Sequence, residues 1–347
     1  MGGGQSEAMI EISPENARDY LVSRGQIPAD GEARIEPLGW GISNVVMKVE
    51  LPGDCFVFKQ SLPKLRVKDD WPFDRSRIFV ERDCMRLLGE LLPPGSVPSV
   101  RFSDDENFTF GMSCAPEGGV LWEQALLEGQ IDPVTAEHAG NLLAQMHNRA
   151  ASDARAQTRF ADPTVFLQGR VDPYHRTTAK AHPDLAPLIA AEVERMLRTR
   201  RTLVHGDYSP KNIFAYPGHL LLLDFEVAHY GDPAFDTAFC LNHLLLPAVR
   251  FPERRARYLE SAQRLWRTYS SHLDAALSEG IEAHTVRELG CLLLARIDGK
   301  SKIPYITEEP TKEVARRIAR EILTGEEMSL PAVFDLVERR IAEAEQE

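Results

Sequence analysis

The sequence predicts an α+β chain of two lobes, a small antiparallel sheet followed by a larger, mainly helical body. Three observations predict it. Between Ala33 and Gln60 the chain runs in short β-rich pieces (RIEPL, NVVMKVEL, CFVFKQ) broken by GWG and PGD turns, the pattern of an antiparallel meander. The run FTFGMSCAPEGG, from Phe108 to Gly119, ends in a Pro/Gly-rich link, the composition of a domain boundary. Beyond it apolar residues recur mostly at helical spacing. The expected lobes are residues 1–116, with 1–8 a loose tail, and residues 117–347.

The first lobe opens with about three strands. A helix follows from Arg75 to Leu92, with Ile78, Met85, Leu88 and Leu92 on one stripe. In the second lobe the periodicity predicts helices at Thr135–Ala150, Asp184–Arg198, Pro252–Leu277, Ala283–Ala295, Thr311–Leu323 and Pro331–Glu345. One β segment interrupts them. IFAY and LLLLDF read as two strands joined by a tight Pro-Gly turn, which sets Asn212 just before one strand and Asp224 at the end of the next.

Composition narrows the partners. The chain holds 52 acidic against 40 basic residues, a net charge of −12, and its field repels a phosphate backbone. The deficit is spread out, with 18 acids and 13 bases in residues 1–116 and 34 and 27 in the rest. Neither part is a hidden basic domain, so nucleic acid is not expected as a partner. Apolar residues at 43% and charged ones at 27% fit a globular protein with an ample core. No apolar run approaches the roughly 18 to 20 residues that span a bilayer, and MGGGQSEAM lacks the basic start and apolar core of a signal peptide. No membrane association is expected. Five scattered cysteines, Cys55, Cys84, Cys114, Cys240 and Cys291, include no C-x-x-C pair and no disulfide framework, so a reducing cytoplasm is the expected location. Oligomeric state is left unassigned.

The strongest chemical signal is LVHGDYSPKNIFAYPGHLLLLDFEVAHYGDPAFDTA, from Leu203 to Ala238. Asp207 lies five residues before Asn212 on the loop that enters the hairpin, so Asp207, Asn212 and Asp224 can converge without any distant element. Two carboxylates and an amide suit hard, oxygen-seeking Mg²⁺ and the orientation of a hydroxyl. His205-Gly206-Asp207 to Asn212, followed by Asp224-Phe225-Glu226, resembles the Brenner-type core of the aminoglycoside phosphotransferase and choline kinase superfamily. The resemblance implies a protein-kinase-like bilobal fold and an ATP- and Mg²⁺-dependent kinase of a small-molecule hydroxyl, with an acceptor of sugar or amino-sugar type. It further implies that Asp207 orients or deprotonates the acceptor, that Asn212 and Asp224 hold Mg²⁺, and that Glu226 is an additional ligand candidate. His205 is expected to fix the loop rather than transfer a proton. Asp232 and Asp236 are expected to anchor that loop and cap the next helix.

A kinase also needs a lysine for the ATP phosphates. On NVVMKVEL the apolar Val45, Met47, Val49 and Leu51 share one face, leaving Lys48 beside Glu50 on a solvated face. Lys59 shares a face with Cys55 and Val57, so its ammonium is expected to be partly buried and to need a counter-charge. Glu81, three after Ile78 and four before Met85, places a carboxylate on the apolar stripe of its helix. The phosphate-covering loop is expected at Gly39 to Asn44, with Gly41 and Ser43 facing phosphate, and Met112 to Ala115, including Cys114, as the hinge whose backbone meets the adenine. No Walker A pattern occurs.

A finer likeness concerns the acceptor. KQSLPKLRVKDDWPFDRSR, GGVLWEQALLEGQ and DFEVAHYGDPAFD are similar to stretches of 5-methylthioribose kinases, whereas Asn212 is more like aminoglycoside and choline kinases. The basic residues Lys64, Arg66 and Lys68 are candidates for nucleotide contact. Arg296, Asp298, Lys300 and Lys302 either line the acceptor pocket or decorate a helix end. The global acid excess leans toward a cationic acceptor. The rival of another class is a nucleotide-binding pseudokinase, which retention of Lys59, Glu81, Asp207, Asn212 and Asp224 opposes.

Overall fold

Alternation along two neighbouring strands builds the first core. In the computed structural model, which describes residues 9–39, 44–62 and 73–346, β1 (Arg34–Pro37), β2 (Asn44–Leu51), β3 (Asp54–Ser61), β4 (Val100–Asp104) and β5 (Thr109–Ser113) form one antiparallel sheet in the order β1-β2-β3-β5-β4. Val45, Met47 and Val49 of β2 and Phe56 and Phe58 of β3 point to the same side and are all buried. Ile12, Tyr20, Leu21 and Ile27 close that core, the two middle residues from a short helix, Ala17–Ser23. This helix and β4 carry too few periodic residues to be read from the sequence.

The chain divides into two compact units. One comprises Met1–Arg86 and Pro98–Pro116, the other Leu87–Val97 and Glu117–Glu347. In the second unit β6 (Val120–Leu121), β8 (Ile213–Tyr216) and β9 (His219–Leu222) pair in the order β6-β8-β9, while β7 (Thr202–Val204) pairs with β10 (His229–Gly231). The β8–β9 hairpin turns at Pro217-Gly218 with Tyr216 opposite His219. Strands β6, β7 and β10 have only two or three residues each, too short for an alternating signal.

The predicted helices are present at Arg77–Leu91, Pro133–Ala151, Ala186–Arg198, Arg255–His272, Ile281–Asp298, Glu309–Thr324 and Leu330–Ala344. Pro133–Ala151 packs closely on Arg255–His272. A Cβ on Gly140 would come within 2.4 Å of the Leu265 carbonyl oxygen, so that crossing requires glycine. Periodicity misses the helix Pro233–Arg250, in which every residue from Pro233 to Val249 is buried. A helix buried all round has no polar face and so leaves no 3.6-residue pattern. It starts where Asp232 accepts a hydrogen bond from the Ala234 amide at 3.0 Å. Also unforeseen is a run of widened π-type turns, Leu167–Arg176. Among the described residues, no helix is long and apolar enough to cross a membrane.

One expectation is corrected. Cys55 and Cys114 form a disulfide, with Cα atoms 5.7 Å apart, while Cys84, Cys240 and Cys291 are free and buried. Sheet register explains the pairing, because Phe56 opposes Ser113 and the next rung places Cys55 beside Cys114, within cross-strand reach. A separation of 59 residues hid the pairing from the sequence. Thiol titration of the unfolded, unreduced protein should return three thiols, rising to five after reduction; five at the outset would contradict the bridge.

Candidate active site

The loop after β7 is held by a buried carboxylate. Asp236, fully buried in the helix Pro233–Arg250, accepts the His205 amide at 2.7 Å and the Gly206 amide at 2.8 Å, and lies 3.3 Å from His147 Nε2. Gly206 has φ +76°, and a Cβ there would meet the Val227 carbonyl oxygen at 2.8 Å, so the turn excludes other residues. His205 Nδ1 accepts the Asp207 amide at 3.1 Å, which leaves Nε2 to donate to the Leu223 carbonyl at 3.1 Å. Burial holds this imidazole below its usual pKa, and a neutral ring is what that donor-acceptor pattern requires. His205 therefore acts as a scaffold.

Asp207 is 2% exposed. Its Oδ2 takes Arg170 Nη2 and Lys211 Nζ, each at 2.8 Å, while Oδ1 is buried with no hydrogen-bond partner. Arg170 Nε also donates to the Gly206 carbonyl at 2.6 Å, so one guanidinium clamps both loop and carboxylate. Burial alone would raise the Asp207 pKa, but Arg170 and Lys211 outweigh it and hold the carboxyl well below the usual range. The depressed value means its contribution to stability is present above the ordinary Asp pKa of about 4 and fades as pH falls through the folded value.

Asn212 and Asp224 flank the hairpin as expected. Ile213 opposes Leu222, and the Leu223 amide donates to the Asn212 carbonyl at 2.9 Å. The Asn212 side chain donates Nδ2 to the Asp207 carbonyl at 3.0 Å, which leaves Oδ1 as its accepting atom. Asp224 holds φ +66°, a left-handed conformation costly for a non-glycine residue and concentrated at functional sites. Phe225 is buried with its ring 4.6 Å from that of His205, which fixes the direction of the DFE segment. Burial opposes the charge of Arg170, but Asp207, Tyr174, Glu226 and Asp224 together keep the guanidinium protonated. Among the described residues no group of three or more His, Cys, Asp or Glu gathers as a metal site. An amide with two carboxylates nevertheless fits Mg²⁺, which takes few protein oxygens and completes its shell with water and phosphate.

In the first unit Lys59 Nζ meets Glu81 Oε1 at 2.6 Å, with side chains 10% and 1% exposed. Lys48 lies on the same face of the sheet but pairs with Glu50 in a partly exposed position. The helix that carries Glu81 distinguishes the two lysines. Gly41 and Ser43, together with Lys64, Arg66 and Lys68, lie outside the described residues. Met112 sits within β5 between Val57 and Val100, so its backbone faces a strand on each side. Cys114, bonded to Cys55, is beyond that ladder.

Sequence reasoning missed Arg170 and Lys211. Lys211 had a signal, standing four residues after Asp207; Arg170, in the π-type run, had none. The ARIDGKSK group divides. Asp298 binds Arg316 and His182 at 2.8 Å, and Lys302 is exposed. Arg296 turns inward, 8% exposed, onto Tyr174 Oη at 3.2 Å and Ser301 Oγ at 3.0 Å.

Residues 34–272 match the model of the phosphotransferase enzyme family. The chain belongs to this family. It is an enzyme of the small-molecule kinase class. A methylthioribose kinase from Bacillus cereus (strain G9842) is 23% identical over 358 aligned positions, covering 90% of this chain and 91% of that protein. Among solved structures, an ethanolamine kinase from Plasmodium vivax is similar with a TM-score of 0.54 at 13% identity, covering 94% of this chain and 86% of the other. A macrolide 2'-phosphotransferase from Brachybacterium faecium has a TM-score of 0.51 at 18% identity, covering 90% and 99%. These likenesses establish the protein-kinase-like α+β fold.

In this phosphotransferase, Asp236→Ala strands two buried amides of the His205 loop. Urea unfolding should register a loss of about 3 kcal/mol, from roughly 1 to 3 per unsatisfied group; a loss under about 1 would mean that the loop is held by other contacts.

Proposed function

We propose that this phosphotransferase moves the γ-phosphoryl group of ATP to a hydroxyl of a small molecule. One observation carries the reading: Asp207 is ionised by two cations on Oδ2 while its buried Oδ1 is left to receive a hydroxyl. Phosphoryl transfer asks mainly for positioning and charge neutralisation, because its transition state is loose and needs little basic push. A carboxylate of depressed pKa is a weak base but a well-oriented acceptor. Asp207 is accordingly assigned to hold the acceptor hydroxyl and take its proton late. Lys59, kept in place by Glu81, is assigned to the donor phosphates. Asn212, Asp224 and Glu226 are assigned to Mg²⁺, which when bound would neutralise the β- and γ-phosphate oxygens.

The methylthioribose kinase relatives put a sugar among the acceptors to test, and the choline-kinase-like reading adds an amino alcohol. A pseudokinase is disfavoured, because a chain that only binds nucleotide needs no carboxylate held ionised with an oxygen free for a hydroxyl.

A screen of ADP release across sugars, amino sugars, amino alcohols and hydroxy acids tests the reading, and Asp207→Ala is its control. With the best acceptor that variant should lose about a thousandfold in kcat while ATP still binds; near-normal turnover would sink the assignment. The lysines give an independent check. Lys59→Ala should weaken ATP use by about a hundredfold and Lys48→Ala by less than about threefold, measured as kcat/KM for ATP, and the reverse order would move the phosphate lysine to Lys48.

A further inference from the structure

Three cations are linked to Asp207 by a run of contacts. Arg170 and Lys211 hold its Oδ2, each at 2.8 Å. Arg170 lies over the Tyr174 ring at 5.7 Å, and Arg296 lies over the same ring at 5.8 Å while donating to its hydroxyl. Contacts therefore run continuously from Asp207 through Arg170 and Tyr174 to Arg296. A second branch passes from Arg170 over Phe239 (5.5 Å) to His243 (ring centroids 5.2 Å) and on to Glu123, whose Oε1 is 3.8 Å from His243 Nδ1. All these residues belong to the second unit.

Arg296 is the anomaly. It is 92% buried, its hydrogen bonds among the described residues go to neutral oxygens of Tyr174 and Ser301, and no carboxylate lies within ion-pair distance among those residues. Its Nε is buried without a partner, as is His243 Nε2. Asp207, Asp224 and Glu226 offset the charge of Arg170, whereas Arg296 has only Glu123 in its surroundings among the described residues, and burial pushes that carboxyl up toward its neutral form against the pull of Lys211 and Arg296. A buried guanidinium with no counter-ion is costly. Its planar donor fork matches a carboxylate or phosphate.

We propose that the acceptor is a small anionic alcohol, its carboxylate or phosphate ester taken by Arg296 and its hydroxyl meeting Asp207 Oδ1. This rests on the kinase reading above and names its substrate class. The acceptor oxygen bonds to the γ-phosphorus, the β–γ bridging bond breaks with its electron pair going to ADP, and the hydroxyl proton leaves by way of Asp207 to solvent. A cationic amine placed against Arg296 would meet like-charge repulsion with no carboxylate in ion-pair reach to offset it. The overall charge of −12, which taken alone leans toward a cationic acceptor, is opposed at Arg296 by a buried cation with no carboxylate partner among the described residues. Arg296 lies outside residues 34–272.

The test pairs each anionic alcohol with a neutral or cationic counterpart on the full-length protein: glycerate with glycerol, ribose 5-phosphate with ribose and methylthioribose, and gluconate with glucose, choline and kanamycin. ADP release gives kcat/KM. At least one anionic member should exceed its counterpart by about tenfold or more. R296Q should then cost that member at least about tenfold more than the counterpart, with the KM for ATP not following. R296K, which keeps the charge and loses the fork, should fall between; it also serves if R296Q fails to fold. Preference for a neutral or cationic acceptor, or equal losses for both members in R296Q, overturns the proposal and leaves the kinase reading standing. ATP binding without ADP release for any acceptor takes down both.

Discussion

A single buried carboxylate organises the chemistry of this chain. Asp236 accepts two consecutive loop amides, those of His205 and Gly206, from within a helix that is buried almost throughout. Two backbone donors in a dry interior must be satisfied, and the helix does so only in one register. Once they are bound, His205 points one nitrogen at the Asp207 amide and the other at Leu223 beside the DFE segment. The proposed acceptor residue and metal residues thus share one rigid frame. Asp232, four residues before Asp236, starts that helix as its N-cap and pairs with Arg195.

Electrostatics then differentiates carboxylates that the sequence writes alike. Asp207 is forced to remain charged by two cations on one oxygen, which leaves the other oxygen without a hydrogen-bond partner. Asp236 spends both oxygens on backbone. Glu81 is committed to Lys59. In each case the partner decides the role, because burial would otherwise favour the neutral acid.

The readable parts are those where cause and effect lie close along the chain. The pairing of Lys59 with Glu81 was legible because strand alternation and a helical stripe made each the other's explanation, and they meet at 2.6 Å. The hairpin bearing Asn212 and Asp224 was legible from two apolar runs and a Pro-Gly turn. The helix Pro233–Arg250 escaped periodicity because every face is buried. The Cys55–Cys114 bridge was overlooked because it depends on which strands become neighbours, a property of sheet order rather than of spacing.

What the sequence determined by itself is local: the strands and amphipathic helices, the glycine that permits the turn at Gly206, and the spacing that sets Asn212 and Asp224 at one end of the hairpin with Asp207 on the loop before it. Only the tertiary structure decided the charge environment. Arg170 comes from 37 residues before Asp207 and Arg296 from 89 after it, and neither position carries a pattern that announces its destination. Coulomb interaction and desolvation depend on distance through space and on burial, and both quantities exist only once the chain has folded.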